Sequence, residues 1–259
     1  MTLWLKKHRF SEDADFNLIC FPYAGGNAHV FSMWKNFVPS NINIIGVQFP
    51  GRSSLASIPS CTNIHQLVYS LYPHIKQFVQ FNNLIFFGHS LGALVAFELC
   101  KYFWKNDGFL PEILILSACS APKHMGKRPG IYHLPDIEFI EKIKHYGGTS
   151  EEILNDSSLV EFFVPMLKSD FCIYETYKAE ESPHLCPVNL TAMGSLDDPY
   201  ANLNDMLSWK DYVLGNYNAV EIKGNHFYVN PYNLSFAKKL LNELSRLFKP
   251  CNKNYGTFR

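Results

Sequence analysis

The run Phe86-Phe87-Gly88-His89-Ser90-Leu91-Gly92-Ala93 constrains this chain more than any other segment. An apolar stretch over 84–87 ends in G-x-S-x-G, and Leu91, Leu94, Val95, Phe97, Glu98 and Leu99 continue as a helix with an apolar face. A strand that reverses this sharply into a helix holds its serine in a strained conformation. The flanking glycines are needed because larger side chains would collide with the turn. Ser90 is thereby mounted as a nucleophile on rigid structure.

The pattern on either side of this elbow alternates. Strands are predicted at 18–21, 43–48, 84–87 and 113–117, and helices at 28–37, 64–79 and from 91 to about 103, which implies an α/β fold with a mainly parallel sheet covered by helices on both faces. Such sheets expose their ligand sites at the carboxyl edge of the strands, where Ser90 sits. The alternation breaks after Ala121-Pro122. From about 123 to 187 there are only helix-like pieces, at 137–145, 151–155, 159–167 and 171–177, before strands resume. We read 1–259 as one domain with a helical lid inserted at about 123–187, and 251–259 as a loose tail.

A serine hydroxyl needs a base to take its proton and an acid to orient that base. On an elbow of this kind the chain order is serine, acid, histidine, with the histidine in a loop before the last helix. Among ten histidines only His226 fits: it follows a short strand at 219–222 and the turn Lys223-Gly224-Asn225, and precedes a helix with Leu234, Phe236, Leu240, Leu241 and Leu244 on one face. The acid should end the preceding strand, 188–193, which stops at Gly194-Ser195-Leu196-Asp197-Asp198-Pro199. Asp198 is the candidate because a residue before proline is held extended at the strand tip, with Asp197 as the alternative since neighbours on an extended chain point to opposite sides. Two backbone N–H groups must also meet the oxygen of a tetrahedral intermediate. Leu91 supplies one, and Ala24, in the loop Pro22-Tyr23-Ala24-Gly25-Gly26, is the expected second.

Lys plus Arg and Asp plus Glu are 23 each, and no basic stripe suggests nucleic acid. No segment approaches the length of a membrane span, and the N-terminal residues have no apolar stretch behind their charges, so a cytoplasmic, non-membrane protein is expected. Seven unclustered cysteines suit reduced thiols, and no His/Cys cluster has metal-ligand spacing. Tyr174 and Tyr177, with Phe162, Phe163, Met166 and Phe171, give the lid an apolar face suited to an acyl chain, or simply to packing on the body. Tyr23, Phe171 and Tyr174 are the expected substrate contacts.

In order along the chain, Phe21-Pro22-Tyr23-Ala24-Gly25-Gly26, Phe49-Pro50-Gly51-Arg52, Gly88-His89-Ser90-Leu91-Gly92, Tyr146-Gly147-Gly148, Asp170-Phe171, Glu175-Thr176-Tyr177, Asp197-Asp198-Pro199 with Trp209, and His226-Phe227 resemble the type II thioesterases, the stand-alone editing enzymes of nonribosomal peptide and polyketide synthases. That resemblance implies an α/β-hydrolase with a mobile helical lid and a triad matching Ser90, Asp198 and His226. It also implies hydrolysis of acyl or aminoacyl thioesters on the phosphopantetheine arm of acyl or peptidyl carrier proteins, by a monomer needing no cofactor and no metal. A medium-chain fatty acid thioesterase, a carboxylesterase or lipase, and a non-catalytic binding scaffold are the alternatives. Leu91 stands where the family usually has methionine, and Lys168-Ser169 where an arginine and a small residue usually precede the Asp-Phe pair.

Overall fold

The computed structural model describes residues 3–79, 83–126, 129–148, 152, 156–179, 185–230 and 232–248. Seven strands form one sheet: β1 (Leu5–Arg9), β2 (Phe16–Phe21), β3 (Ile42–Val47), β4 (Leu84–His89), β5 (Ile113–Ser117), β6 (Leu190–Gly194) and β7 (Tyr217–Glu221), in the order β1-β3-β2-β4-β5-β6-β7. β1 runs antiparallel to β3 and every other pairing is parallel. Both faces are covered, so the central strands alternate between two apolar cores. Phe86, Leu114 and Leu116 pack with α1 (Ile64–Lys76) and α2 (Leu91–Asp107) on one side. Ile85, Phe87 and Ile115 pack with Trp34 and Phe236 on the other.

Between β5 and β6 stand α3 (Asp136–Tyr146) and α4 (Ser157–Glu175), and after β6 come the short α5 (Leu203–Leu207) and the terminal α6 (Leu234–Arg246). α3 and α4 share a small core of their own, Ile131, Phe139, Ile143, Val164 and Leu167, against which Ala24 of the body packs. The seven-stranded, mostly parallel sheet with a serine after β4 has the α/β-hydrolase architecture.

Three elements depart from the sequence expectation or sharpen it, each for a physical reason. The N-terminal strand β1 was not predicted, since its residues LKKHR show no apolar alternation; it is an edge strand with only Leu5 buried, and charged side chains on an edge discourage pairing with other chains. The helix expected at 28–37 is a 3-10 helix over residues 28–36. Their buried side chains Ala28, Phe31 and Trp34 recur every three residues, the 3-10 repeat. The lid pieces expected at 159–167 and 171–177 are one continuous helix, α4, capped by Asp156, whose carboxylate accepts from the N–H groups of Ser158 and Leu159. The polar Lys168-Ser169-Asp170 that interrupts its pattern is not a break, because Asp170 is buried in an ion pair and Lys168 donates to Leu134 O at 2.6 Å and to Asp136 at 2.5 Å. The 151–155 piece and the 251–259 tail lie outside the described residues, save Glu152, which is helical.

The elbow depends on close backbone approach. A Cβ on Gly92 would lie 2.1 Å from Phe21 O, so α2 rests directly on the end of β2. Gly92→Ala must therefore push the helix off the sheet. A loss of about 3 kcal/mol, read as a fall in Tm of about 6–12 °C, is the expected outcome of thermal unfolding.

Candidate active site

Ser90 is the N-cap of α2 and has φ 53° and ψ −119°, a left-handed conformation that costs a non-glycine residue about 1–3 kcal/mol. The Ser90 N–H is tied to Ser117 O on β5 at 2.8 Å, which holds the turn against the neighbouring strand. His226 lies in the loop after β7, and its Nε2 is 3.1 Å from Ser90 Oγ. Its Nδ1 is 2.7 Å from Asp198 Oδ2. A carboxylate can only accept, so Nδ1 carries the ring proton and Nε2 is left to accept from the serine hydroxyl. The other carboxylate oxygen, Oδ1, accepts from the N–H groups of Tyr200 at 2.8 Å and Ala201 at 3.1 Å.

Of the two candidate aspartates, Asp198 is the one facing the histidine, at 2 % exposure, while Asp197 points to solvent. The loops bearing Asp198 and His226 are joined twice more: Ser195 Oγ donates to Gly224 O, and the Ile222 N–H to Gly194 O at 2.6 Å.

These residues open on one cavity of about 240 Å3, whose lining includes Ser90, His226, Ala24, Leu91, Tyr23, Phe171 and Tyr174. Its wall is aromatic. Tyr146 of α3 stacks on Tyr200 with ring centroids 4.1 Å apart and meets Phe171 of α4 edge to face, and Tyr200 in turn lies edge-on to the His226 ring. The segment α3–α4 is therefore in contact with the residues around the histidine.

Not all of the apolar side chains of α4 lie on the cavity. Phe162 is 60 % exposed, Met166 is buried within the protein, and Phe163 packs on Gly25. The Tyr177 hydroxyl donates to Glu98 on α2 at 2.8 Å. Glu175, singled out in the sequence only as part of the Glu175-Thr176-Tyr177 motif, is a wall residue. It accepts from the N–H groups of Ile131 and Tyr132, fastening that loop to α4, and burial raises its pKa.

His89 sits inside the elbow beside the serine. It is fully buried, with Nε2 2.9 Å from His226 O and Nδ1 2.9 Å from Ser117 Oγ. The carbonyl must accept, so Nε2 holds the proton and Nδ1 accepts from Ser117. The Tyr228 hydroxyl donates to Met193 O at 2.7 Å, and its oxygen lies 2.8 Å from Ser117 Oγ. Nothing in the sequence marks this network except that a histidine sits inside the elbow. Burial, and the charge His226 can carry beside it, hold the His89 pKa well below its usual value.

The described cysteines are all free thiols; burial pushes that of Cys119 up to about 12, which makes it a poor nucleophile. Among the described residues no cluster of His, Cys, Asp and Glu could hold a metal ion, and no helix is long and apolar enough to cross a membrane.

The fold and this Ser-His-Asp arrangement define a serine hydrolase of the α/β-hydrolase class. The family model of the thioesterase domain matches residues 16–243. Linear gramicidin dehydrogenase LgrE of Brevibacillus parabrevis is 33 % identical over 235 residues, 88 % of this chain and 87 % of that protein. Thioesterase PikA5 of Streptomyces venezuelae is 32 % identical, over 88 % and 80 % of the two chains. Among solved structures, the type II thioesterase BorB from the borrelidin biosynthetic cluster superposes with a TM-score of 0.82 at 27 % identity, covering 95 % of this chain and 97 % of BorB. YbtT, a type II thioesterase from the yersiniabactin pathway, gives 0.84 at 26 % identity, covering 95 % and 99 %. The chain belongs to the thioesterase domain family.

A histidine that stays neutral when buried takes up a proton on unfolding, so His89 costs the fold stability as pH falls below about 6.5. His89→Gln keeps a hydrogen-bonding side chain without a titrating ring. Between pH 6.5 and 5.5 it is expected to lose about 1 kcal/mol less stability than the wild type, as read by urea unfolding at the two pH values.

Proposed function

We propose that this protein hydrolyses acyl and aminoacyl thioesters held on the phosphopantetheine arm of acyl or peptidyl carrier protein domains, clearing misacylated or stalled synthase modules. The observation that carries the reading is the unbroken chain from Ser90 Oγ through the His226 ring to Asp198, at 3.1 and 2.7 Å, opening on a cavity that Ala24 and Leu91 also line. Relatives and structural neighbours named for gramicidin, borrelidin and yersiniabactin biosynthesis support the carrier-protein context.

In this mechanism Ser90 attacks the thioester carbonyl carbon while His226 Nε2 accepts the hydroxyl proton and Asp198 keeps the imidazole oriented. The carbonyl oxygen, now negative, is met by the N–H groups of Leu91 and Ala24. Leu91 opens α2, and the first N–H groups of a helix have no partner within it, so this donor is available. Collapse of the intermediate breaks the C–S bond; the pantetheine thiolate takes the proton from His226 and leaves an acyl-serine. His226 then deprotonates a water that attacks the acyl carbon, a second tetrahedral intermediate releases the acid, and Ser90 recovers its proton. Every step uses side chains and backbone of this chain, and none calls for a cofactor.

The helices α3 and α4 act as the lid over this cavity, with Tyr23, Phe171 and Tyr174 as the acyl-group contacts. The cavity lies below the roughly 300–1,000 Å3 of drug-sized ligand pockets, which favours short acyl groups over a medium-chain fatty acid. The same reading has the enzyme act as a monomer in the cytosol.

The test is loss of thioester from short-acyl carrier proteins. Ser90→Ala is expected to lower turnover about a millionfold and Asp198→Asn about 10⁴-fold. Asp197→Asn, at an exposed position, should stay within about twofold of wild type. Equal loss of thioester with wild type and Ser90→Ala would exclude the mechanism, and equal efficiency on matched acyl-alcohol esters would redirect it to a carboxylesterase.

A further inference from the structure

Asp170 projects from α4 into the body, where its carboxylate is 2 % exposed and makes three bonds. Oδ1 accepts from Arg52 Nη2 at 2.5 Å and Oδ2 from Arg52 Nη1 at 2.6 Å, a two-pronged pair. Oδ2 also accepts the Gly25 N–H at 2.8 Å. Arg52 Nη1 donates in addition to Gly26 O at 3.0 Å. Both glycines after Ala24 are thus held by one buried ion pair, through the N–H of the first and the carbonyl of the second. The turn they form is closed on the other side by the Gly26 N–H on Tyr23 O at 2.9 Å.

The helix that carries Asp170 also packs directly on this turn. Gly25 has φ +78°, and a Cβ there would lie 2.9 Å from Leu167 Cδ1 and 3.1 Å from Phe163 Cζ, both on α4. The Ala24 backbone has little freedom while α4 is seated. When α4 lifts, the Gly25 N–H loses its charged acceptor and the turn loses its cover. The Ser90, His226 and Asp198 contacts come from β4, β6 and β7 loops and do not include α4.

We propose that Arg52 and Asp170 are positioning residues that aim the Ala24 N–H at the developing oxyanion, so that the oxyanion site is complete only when the lid helix α4 is seated. The lid then does more than cover the substrate. It completes the electrostatic part of the site while leaving the proton-transfer part assembled. A charge-assisted pair of this geometry is among the strongest hydrogen-bonding contacts a protein makes, and burial shields it from screening by salt. The proposal rests on the reading of Ala24 as an oxyanion donor.

The test removes both charges together, because a buried pair replaced by apolar residues of similar size usually leaves a folded protein, whereas removing one partner strands the other. Arg52→Met combined with Asp170→Leu is compared with wild type, counting active sites by fluorophosphonate labelling of Ser90. Three quantities are read: kcat and KM on an acyl-pantetheine thioester per labelled site, the affinity of an acyl trifluoromethyl ketone, which forms a tetrahedral oxyanion on the serine, and the pH profile. Loss of one well-aimed donor is worth about 10²–10³ in turnover, so a misaimed one should lower kcat about 10- to 100-fold, with KM within about twofold. The ketone affinity should fall by the same factor, and the midpoint of the pH profile should not move, since the His226–Asp198 pair is untouched.

Ketone affinity and kcat per labelled site both within about twofold of wild type would overturn the proposal, whatever happens to Tm or to the fraction of protein that labels. Arg52→Lys keeps the charge but cannot make the two-pronged contact. It is read in the same way and decides the matter if the double variant does not fold. Absence of thioester hydrolysis in the wild type would count against the proposed function alone, because the ketone measurement needs only a reactive Ser90.

Discussion

The rest of the structure depends on how closely the backbone of α2 meets the ends of β2 and β4. Gly92 stands against Phe21 O, and a Cβ on Gly88 would lie 2.2 Å from Gly92 O, so the turn between strand and helix has no room for side chains on its inner side. Ser90 can hold φ 53° only because this packing, and its N–H bond to Ser117, over-determine it. Phe86 and Phe87 on opposite faces of β4 anchor the same turn in both cores, so stability from the whole sheet holds one hydroxyl in place.

Around that fixed point the polar contacts fall into two groups. One lies behind His226, where the buried His89 ring donates to the His226 carbonyl and is itself held by Ser117, with the Tyr228 hydroxyl beside that serine. The other lies above Ala24, where Arg52 and Asp170 join the early loop to α4. Every member of the first group comes from the sheet and its adjoining loops. The second spans the body and the inserted helices, and so is the one able to respond to where those helices sit.

Much of the site was legible from residue types and order. A G-x-S-x-G after an apolar strand specifies its own geometry, because the strand, the glycines and the helix are contiguous. His226 was found by chain order and by the helix that follows it. The proline behind it favours Asp198, but only the folded sheet separates it from the adjacent Asp197, by setting which carboxylate faces inward. The inserted helices α3 and α4 show in the sequence as an interruption of the strand pattern. There α4 is split in two because a buried charge reads, in a sequence, like a solvent-facing break.

What the sequence determined by itself is whatever depends on neighbours in the chain: the alternation of strands and helices, the elbow, and the serine at its apex. Tertiary structure alone decided the partners of buried polar groups. Arg52 and Asp170 are 118 positions apart, and His89 and the His226 carbonyl 137. Local pattern carries no information about such pairs. A buried polar atom must find a partner, but which one it finds is set by the path of seven strands and the loops that join them.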